Sequence, residues 1–510
     1  MSSNHRICAL HLSMMLALSV NSLAAATVIH VPADQPTIQA GINAAINGDT
    51  VLVSPGTYFE NVSFIGKAIT VKSSNGAKLT IIDGSQKGVV VTFSNAETNA
   101  SILQGFTIQN GRGDEGAGIT IQGSSPTITS NTITRNGGCN GIGIGVGFGS
   151  PIIQKNVISF NTQSTCSGGI GGGGISIRGA SSPRILGNTI SNNSIGADGG
   201  GISLFAAGTP LIQGNMIRNN TSQGVGGGIV MFNQSDANII NNIITNNTAS
   251  DGGGIYWLVP SGARGPFVVN NTMVTNNSLS THGSEVFADG FDISAIVVNN
   301  TIVGKSGQTA FFCGNFNDVN PPVVQFNDIF NPSGTTYGGI CTDQTGLQGN
   351  ISADPQFVGR ANFHLKAGSP AIDSGNNSAL VLPTTDYAGN PRIVNGNGGT
   401  TAIVDMGAFE FIPVVLMPQA LSFGLQAVGS TTTKTVKLTN AQNKPLNISS
   451  ETLPTGYSVS GCGTTVTAFS SCTLTVTFHP LTTGALKGTL TVNDDAGNSP
   501  QTVKLSGSAH

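Results

Sequence analysis

Charged side chains are scarce in this chain, so the few that recur at repeating positions are the first candidates for chemistry. Only 9% of the 510 residues are Asp, Glu, Lys or Arg. Removing a proton next to a sugar carboxylate requires a base and a cation that neutralises the carboxylate. The side chains that would supply these groups, together with an aromatic ring for the sugar, are those of Arg178, Asp198, Asp251, Tyr256 and Arg264.

Two of these carboxylates occupy the same position in a sequence repeat. Asp198 and Asp251 each stand four residues before a recurring isoleucine, and Glu115 takes that position in an earlier unit. Two stacked units would separate the two aspartates by about 9.6 Å, which is too far to share one Ca²⁺ with ligands at about 2.3 to 2.6 Å. The sequence therefore favours carboxylates that cap bends, and Ca²⁺ is expected only if the chain is a lyase.

Tyr256 breaks a row of small outward-facing residues. Alternation directs Ile255 inward, Tyr256 outward and Trp257 inward, which predicts that Trp257 belongs to the core. With Asp251, Arg264 and Arg178 nearby, Tyr256 would form a sugar-stacking patch. The alternative is an ordinary exposed tyrosine.

One insertion concentrates titratable residues. His282, Glu285, Asp289 and Asp292 follow Asn277 within a short stretch. Loops on solenoids often carry function, but the interpretation we favour is a solvated polar loop.

These candidates are embedded in a regular repeat. An asparagine returns about every 28 residues, and glycine runs such as Gly199-Gly-Gly-Ile202 open a strand in each unit. A repeat of this length with alternating apolar and polar residues indicates a solenoid, whereas a propeller requires longer repeats. The asparagines, which we expect to form an amide ladder, are Asn131, Asn156, Asn188, Asn215, Asn242, Asn271, Asn300 and Asn327.

A second asparagine column lies five residues after the first, and a helix precedes the repeats. The second column runs from Asn136 to Asn276 before Lys305 and Pro332 interrupt it. Ile38, Ile42 and Ile46 have helical spacing ahead of Gly48, which predicts a helix that covers the open first rung.

Composition and the amino-terminal segment indicate export. The net charge of −3 offers no basic surface for nucleic acid. Basic residues precede an apolar stretch and an Ala-Ala-Ala sequence, which predicts a signal peptide over residues 1–26 and a secreted or cell-surface protein. No later stretch is apolar for long enough to span a membrane.

The six cysteines that remain after cleavage suit an oxidising compartment. Sequence alone permits 15 pairings of six cysteines. Separations of 27 and 28 residues equal one rung, so partners in neighbouring coils would lie within disulfide distance. The expected pairs are Cys139–Cys166, Cys313–Cys341 and Cys462–Cys472.

Several motifs resemble known exported proteins. Pro36-Thr-Ile-Gln-Ala-Gly-Ile42, the segment from Gly48 to Asn61 and Gly105-Phe-Thr-Ile108 resemble the opening of right-handed parallel β-helix proteins of the pectin-lyase-like superfamily. The resemblance implies a right-handed parallel β-helix with an N-terminal capping helix over residues 27–353. It identifies no catalytic set, because the motifs of polygalacturonases, pectin methylesterases and pectate lyases are missing.

Two later segments resemble modules of the same protein class. Phe363-His-Leu-Lys-Ala-Gly-Ser-Pro-Ala-Ile-Asp373 and Asp405-Met-Gly-Ala-Phe-Glu410 resemble the "choice-of-anchor Q" region, which implies that residues 354–411 close the β-helix. Residues 412–510 alternate like strands and resemble the abnormal-spindle/hydin type of Ig-like module. Their length suits a seven-strand sandwich. The predicted fold class is therefore all-β, a β-helix followed by an Ig-like β-sandwich.

Two functional hypotheses follow. The favoured one is a non-catalytic, monomeric surface or extracellular protein that binds polysaccharide or a cell-surface component through its coil, with no nucleic-acid partner. The alternative is a polysaccharide lyase of acidic glycans that acts near Arg178, Asp198, Asp251 and Tyr256. Fold-level analogy supplies no site for either.

Overall fold

The chain folds into a parallel β-coil, a returning segment and a terminal sandwich. The structure, a computed structural model, describes residues 25–164 and 171–510. The predicted signal peptide lies almost wholly outside the described residues. No helix in the described ranges is long and apolar enough to cross a membrane.

Four parallel sheets form the walls of the coil. Sheet 1 comprises Val28–Val31, Thr50–Val53, Thr70–Ser73, Ile102–Gln104, Thr127–Thr129, Ile152–Gln154, Arg184–Leu186, Leu211–Gln213, Asn238–Ile240, Phe267–Val269, Ile296–Val298 and Val323–Gln325. Sheet 2 comprises Gly56–Tyr58, Thr80–Asp83, Thr107–Gln109, Thr132–Thr134, Val157–Ser159, Thr189–Ser191, Met216–Arg218, Ile243–Thr245, Thr272–Val274, Thr301–Val303 and Asp328–Phe330.

The other two walls follow in each rung. Sheet 3 is short and comprises Arg112–Glu115, Gly137–Asn140, Thr162–Gln163, Ser194–Ile195, Thr221–Ser222, Thr248–Ala249 and Asn277–Ser278. Sheet 4 comprises Val62–Ser63, Val91–Phe93, Ile119–Gln122, Ile144–Gly147, Ile175–Arg178, Ile202–Phe205, Ile229–Phe232, Ile255–Val259, Val286–Gly290, Thr309–Cys313 and Thr335–Gly339.

Sequence columns become rows of touching side chains because neighbouring strands pair in register. Ile202 pairs with Ile229, which pairs in turn with Ile255, and all three side chains are fully buried. Equivalent isoleucine and valine rows from sheets 1 and 2 fill the same lumen. The core is thus a continuous apolar column along the coil axis.

Two asparagine ladders run inside this coil. From Asn131 onward each first-column amide donates to the next asparagine's Oδ1 at 2.9 to 3.2 Å, and the ladder continues beyond Asn327 to Asn350. The second column repeats this pattern from Asn136 to Asn276. Each amide also donates to a carbonyl of a neighbouring rung, as Asn215 does to Ile185, so the ladder satisfies backbone groups at the bends.

A helix closes the first rung, as predicted, but it is shorter than the isoleucine spacing suggested. The helix spans Ile38–Ala44, and the Thr37 hydroxyl accepts from the Ala40 amide. Ile38 and Ile42 are buried, whereas Ile46 is 56% exposed. The chain turns before Ile46 because the Asp49 carboxylate accepts the Ile46 N–H at 2.9 Å.

The segment after the last rungs folds back along the side of the coil. Residues 354–411 contain two small antiparallel pairs, Phe357–Gly359 with Asn362–Leu365 and Ile393–Val394 with Ile403–Val404. Phe363, Ala408 and Phe409 pack on Ile243 and Val274 of sheet 2. The segment therefore covers the outer face of sheet 2 in addition to meeting Phe326 and Ile351 near the coil's end.

Asparagines next to the ladder hold this returning segment. The side chain of Asn241 donates to the Thr385 carbonyl at 2.7 Å, Asn270 to Asp405 at 3.1 Å and Asn299 to Asn376 at 3.1 Å. In each Asn-Asn pair the first residue binds the segment and the second belongs to the ladder. The sequence repeat alone does not show that the two asparagines have these different partners.

The carboxylates of Asp405 and Glu410, in the motif that resembles the choice-of-anchor Q region, accept hydrogen bonds within the returning segment. Asp405 accepts the N–H groups of Asp373 and Phe411, and Glu410 accepts that of Val394. The buried Arg392 lies 3.7 Å from Glu410 and donates to the Gly407 carbonyl. Burial raises the pKa of Glu410 to about 9. These groups fix loops of the returning segment.

The carboxyl-terminal domain is a two-sheet sandwich. One sheet contains Val414–Met417, Thr432–Asn440, Ser471–Phe478 and Tyr457–Ser460. The other contains Ala420–Gln426, Gln501–Ala509, Gly484–Asp494, Leu446–Thr452 and Thr465–Val466. The sandwich thus has nine strands where seven were expected, because short strands such as Thr465–Val466 extend the sheet edges.

Two of the three predicted disulfides lie in described residues and are formed. Cys313 bonds to Cys341 and Cys462 to Cys472, both with Cα atoms 5.3 Å apart. The first joins neighbouring rungs, as the 28-residue spacing predicted. Cys166, the expected partner of Cys139, lies outside the described residues.

Candidate functional site

A row of aromatic side chains follows the outer face of sheet 4. Tyr256 pairs in register with Phe287, and Phe287 with Phe312. Their ring centroids are 5.1 and 4.9 Å apart, and Phe232 lies 5.9 Å from Tyr256 on the other side. We call Phe232, Tyr256, Phe287 and Phe312 the aromatic row; all four side chains are partly exposed.

The row was only partly visible in the sequence. Tyr256 was predicted to face outward, and it does, while Trp257 is fully buried as expected. Phe287 and Phe312 were missed because the residues before Val286 and Phe311 read Gly283-Ser-Glu285 and Gln308-Thr-Ala310 instead of the usual glycine run. Counting strand register onward from Tyr256, without requiring the glycine motif, would have identified both phenylalanines as outward-facing residues.

Carboxylates surround the tyrosine of this row. Asp198, Asp251 and Asp289 all raise the pKa of Tyr256 by charge repulsion, in addition to the larger effect of its burial. Burial also raises the pKa of Asp198, whose Oδ1 accepts the Val225 N–H at 2.8 Å. The surface thus combines aromatic rings with hydrogen-bond acceptors.

Asp251 belongs to a small polar cluster at one edge of the row. It accepts a hydrogen bond from the Ser280 hydroxyl and lies 3.9 Å from Nδ1 of His282. The His282 ring stacks on Phe312 with centroids 4.5 Å apart. Ser280 and His282 therefore each contact the Asp251 carboxylate directly. Because the histidine does not lie between the serine and the aspartate, the three residues do not form a serine–histidine–aspartate relay.

The two candidate arginines do not provide a free cation beside Tyr256. Arg178 donates to Glu115 at 2.7 Å, an ion pair across two rungs. Arg264 donates to the Asp236 carbonyl and lies 3.6 Å from the centroid of Phe267, which belongs to sheet 1. These contacts of Arg264 lie toward sheet 1, because the chain turns onto that sheet after Val259.

The predicted polar loop separates into structural and surface groups. Glu285 is fully buried, and its carboxylate accepts both the backbone and side-chain N–H groups of Asn276, so it ends the second asparagine ladder. Burial raises the pKa of Glu285 to about 8. Asp292 is also buried and accepts the Trp257 indole N–H at 2.7 Å. The expectation of a solvated loop is wrong for these two carboxylates and for Asp289, which is also buried.

His282 remains at the surface beside the aromatic row, whereas Asp289 is buried, with only 8% of its surface exposed. Asp289 accepts N–H groups of Phe316 and Gly290, both at 2.9 Å. His282 is half exposed in its side chain. Within residues 25–164 and 171–510, no group of three or more His, Cys, Asp or Glu side chains is arranged to hold a metal ion.

Comparisons with known proteins agree with this architecture. Residues 88–302 match the family described as "Right handed beta helix region". Residues 413–502 match "Abnormal spindle-like microcephaly-assoc'd, ASPM-SPD-2-Hydin". The expected right-handed β-helix and Ig-like domain are confirmed. No match is found among curated proteins.

Likenesses to solved structures are remote. A PL6 family alginate lyase, AlyGC, is 14% identical over 79% of this chain and 62% of that chain, with a TM-score of 0.35. The ASH / PapD-like domain 7 of human CEP192 is 14% identical over 26% of this chain and 96% of that chain, with a TM-score of 0.18. A protein of unknown function from Porphyromonas gingivalis W83 is 16% identical over 19% of this chain and 46% of that chain, with a TM-score of 0.17. The chain therefore spans less than two thirds of the lyase and of the Porphyromonas protein, and scores this low support no functional conclusion.

Proposed function

We propose that this right-handed parallel β-helix protein, with its terminal ASPM-SPD-2-Hydin domain, binds an uncharged polysaccharide along the aromatic row. The observation that carries the proposal is the run of rings from Phe232 to Phe312 at one ring per rung. Pyranose faces pack on aromatic rings through their C–H groups. A glycan that lies along the coil axis would meet one ring on each of these rungs.

The carboxylates beside the row favour sugar hydroxyls over sugar carboxylates. The carboxyl oxygens of Asp251 and Asp289 are hydrogen-bond acceptors, and hydroxyl groups are suitable donors. A uronate would instead place a negative charge near carboxylates, which is unfavourable without a neutralising cation. The glycan we propose for this surface is therefore neutral.

The same charges weigh against a lyase at this surface. Elimination from a uronate needs its carboxylate to be neutralised, and Arg178 is already paired with Glu115 while Arg264 packs over Phe267 of sheet 1. We therefore place the binding function first and keep an acidic-polysaccharide lyase as the alternative that the experiment tests. The disulfides Cys313–Cys341 and Cys462–Cys472 support a location outside the cytoplasm, at the cell surface or in the medium.

Replacement of Tyr256 by alanine should weaken glycan binding about tenfold, because one stacked ring contributes about 1 kcal/mol or more. Affinity electrophoresis in gels that contain β-glucan, xyloglucan or galactomannan would measure this change. Tyr256→Phe should retain most of the affinity because it keeps the ring. An exposed ring near the first rungs supplies the control, Phe59→Ala, which should bind like the wild type.

Three results would contradict the proposal. Equal retardation of wild type and Tyr256→Ala would show that the row does not bind the glycan. Absence of retardation by every neutral polysaccharide would reject the ligand class. Formation of unsaturated, ultraviolet-absorbing products from alginate or polygalacturonate, lost in Tyr256→Ala, would establish the lyase instead.

A further inference from the structure

A second column of the coil, in which asparagine is the commonest residue, carries a large side chain at two adjacent rungs. The residue before Gly111 and the residue before each second-ladder asparagine have a positive φ of 54° to 57°. Asparagine tolerates this left-handed conformation better than most residues. The column reads Asn110, Arg135, Phe160, Asn192, Asn219, Asn246 and Thr275.

The left-handed backbone conformation of Arg135 and Phe160 is less favourable for these residues than it would be for asparagine. A left-handed conformation is unfavourable for arginine and especially for a bulky residue such as phenylalanine. Both side chains are exposed, Phe160 by 56%, so packing in the core does not explain their presence. Departures from local preference cluster at functional sites.

The two residues line one groove where sheet 2 turns into sheet 3. The groove has a volume of about 340 Å³, within the range of ligand sites. Arg112 and Gln86 extend it to earlier rungs, and Gln163 lines it on the rung of Phe160. Among the described residues, neither the Arg112 nor the Arg135 guanidinium has a hydrogen-bond or ion-pair partner.

We propose that this groove, called here the arginine groove, is a second saccharide site that binds an anionic sugar. Arg112 and Arg135 would hold the acidic group, since a guanidinium presents paired donors to carboxylate or sulfate. Phe160 would pack on the sugar ring next to that group. The site lies at the corner of sheets 2 and 3 and shares no residue with the aromatic row.

The proposal does not depend on the aromatic row, and the charges of the two surfaces are opposite. Carboxylates lie near Tyr256, whereas two guanidinium groups without a partner among the described residues share a groove with Phe160. A coil with both surfaces would bind a neutral glycan and an acidic one at separate places. Independent variants therefore test the two proposals separately.

The test is isothermal titration of the full mature chain with trigalacturonate, a sulfated disaccharide from chondroitin, and maltotriose as the uncharged probe. Arg135→Asn and Phe160→Asn restore the residue typical of the column, so both should keep or raise the melting temperature. Each should weaken binding of the anionic probe at least tenfold. Binding should also weaken as salt increases, because the contact is between charges.

The chain offers close control variants. Phe469 is an exposed phenylalanine with a positive φ in the terminal sandwich, and Arg184 is an exposed arginine on sheet 1. Phe469→Asn and Arg184→Ala should leave affinity for the anionic probe unchanged. Tyr256→Ala should do the same, which separates this site from the aromatic row.

The relative affinities of the three probes distinguish the possible ligands of the arginine groove. Preference for trigalacturonate assigns a carboxylate ligand, and preference for the sulfated disaccharide assigns a sulfate ligand, provided that Arg135→Asn and Phe160→Asn lose the binding. The proposal is overturned if neither anionic probe binds, if maltotriose binds equally well, or if both variants bind like the wild type.

Discussion

Asn215→Ala should lower the free energy of unfolding of the coil by about 3 to 5 kcal/mol. The amide of Asn215 donates to the Ile185 carbonyl and to Asn242, and its Oδ1 accepts both the backbone and side-chain N–H groups of Asn188. Alanine leaves several of these fully buried groups without partners. Each buried unsatisfied group costs about 1 to 3 kcal/mol.

The control for this prediction is four residues away. Asn219 is exposed, has a φ of 54°, and its side chain has no hydrogen-bond partner among the described residues. Asn219→Gly preserves the left-handed bend and should change stability by well under 1 kcal/mol. Denaturant unfolding followed by circular dichroism measures both variants. Equal stability of the two would show that the ladder contributes little.

Trp257→Ala should destabilise the coil by about 3 to 5 kcal/mol, because it removes the largest side chain of the buried core. Trp257→Phe should cost less in packing but should leave the buried Asp292 carboxylate without its indole donor. Denaturant unfolding measures both costs. A Trp257→Phe variant as stable as the wild type would contradict a structural role for this hydrogen bond.

The same pair predicts a pH dependence with a defined sign. Burial raises the pKa of Asp292 from 3.8 to about 7, and the charges of Asp289 and Asp318 add to the effect of burial. The folded state therefore holds this proton more tightly than the unfolded state, so stability falls as pH rises from about 4 to about 7. Below that window the contribution is fully present.

Fluorescence of the wild type can follow this titration directly. Trp257 is the only tryptophan in the chain, and its indole N–H meets Asp292. Its emission should change with a midpoint near pH 7, and Asp292→Asn should abolish the change while the protein remains folded by circular dichroism. A midpoint near pH 4 in the wild type would place Asp292 in a solvated environment instead.

The glycine and asparagine columns predicted most of the coil. Because each strand pairs with its equivalent one rung away, residues such as Ile202, Ile229 and Ile255 meet wherever the repeat is regular. The same periodicity predicted the Cys313–Cys341 bond across one rung. The capping helix was predicted from local spacing, although its end depended on the contact between Asp49 and Ile46.

The candidate functional site was harder to predict, because its charged side chains contact residues that the repeat pattern does not align with them. Arg178 meets Glu115, 63 residues away, and Arg264 turns onto Phe267 of another sheet. Glu285 ends an asparagine ladder because an insertion brings its carboxylate to the place that the next asparagine would take. No regular column contains that information.

By itself, the sequence determined the parallel coil, its register, its ladder and its apolar lumen, because a fixed period makes every neighbour one repeat away. Only the tertiary structure decided which outward residues meet and which are covered. Asn241 binds Thr385 at a separation of 144 residues, and Phe287 and Phe312 extend the row of Tyr256 where the glycine motif is lost. Such contacts depend on insertion lengths and on the path of the returning segment, and neither follows from the repeat.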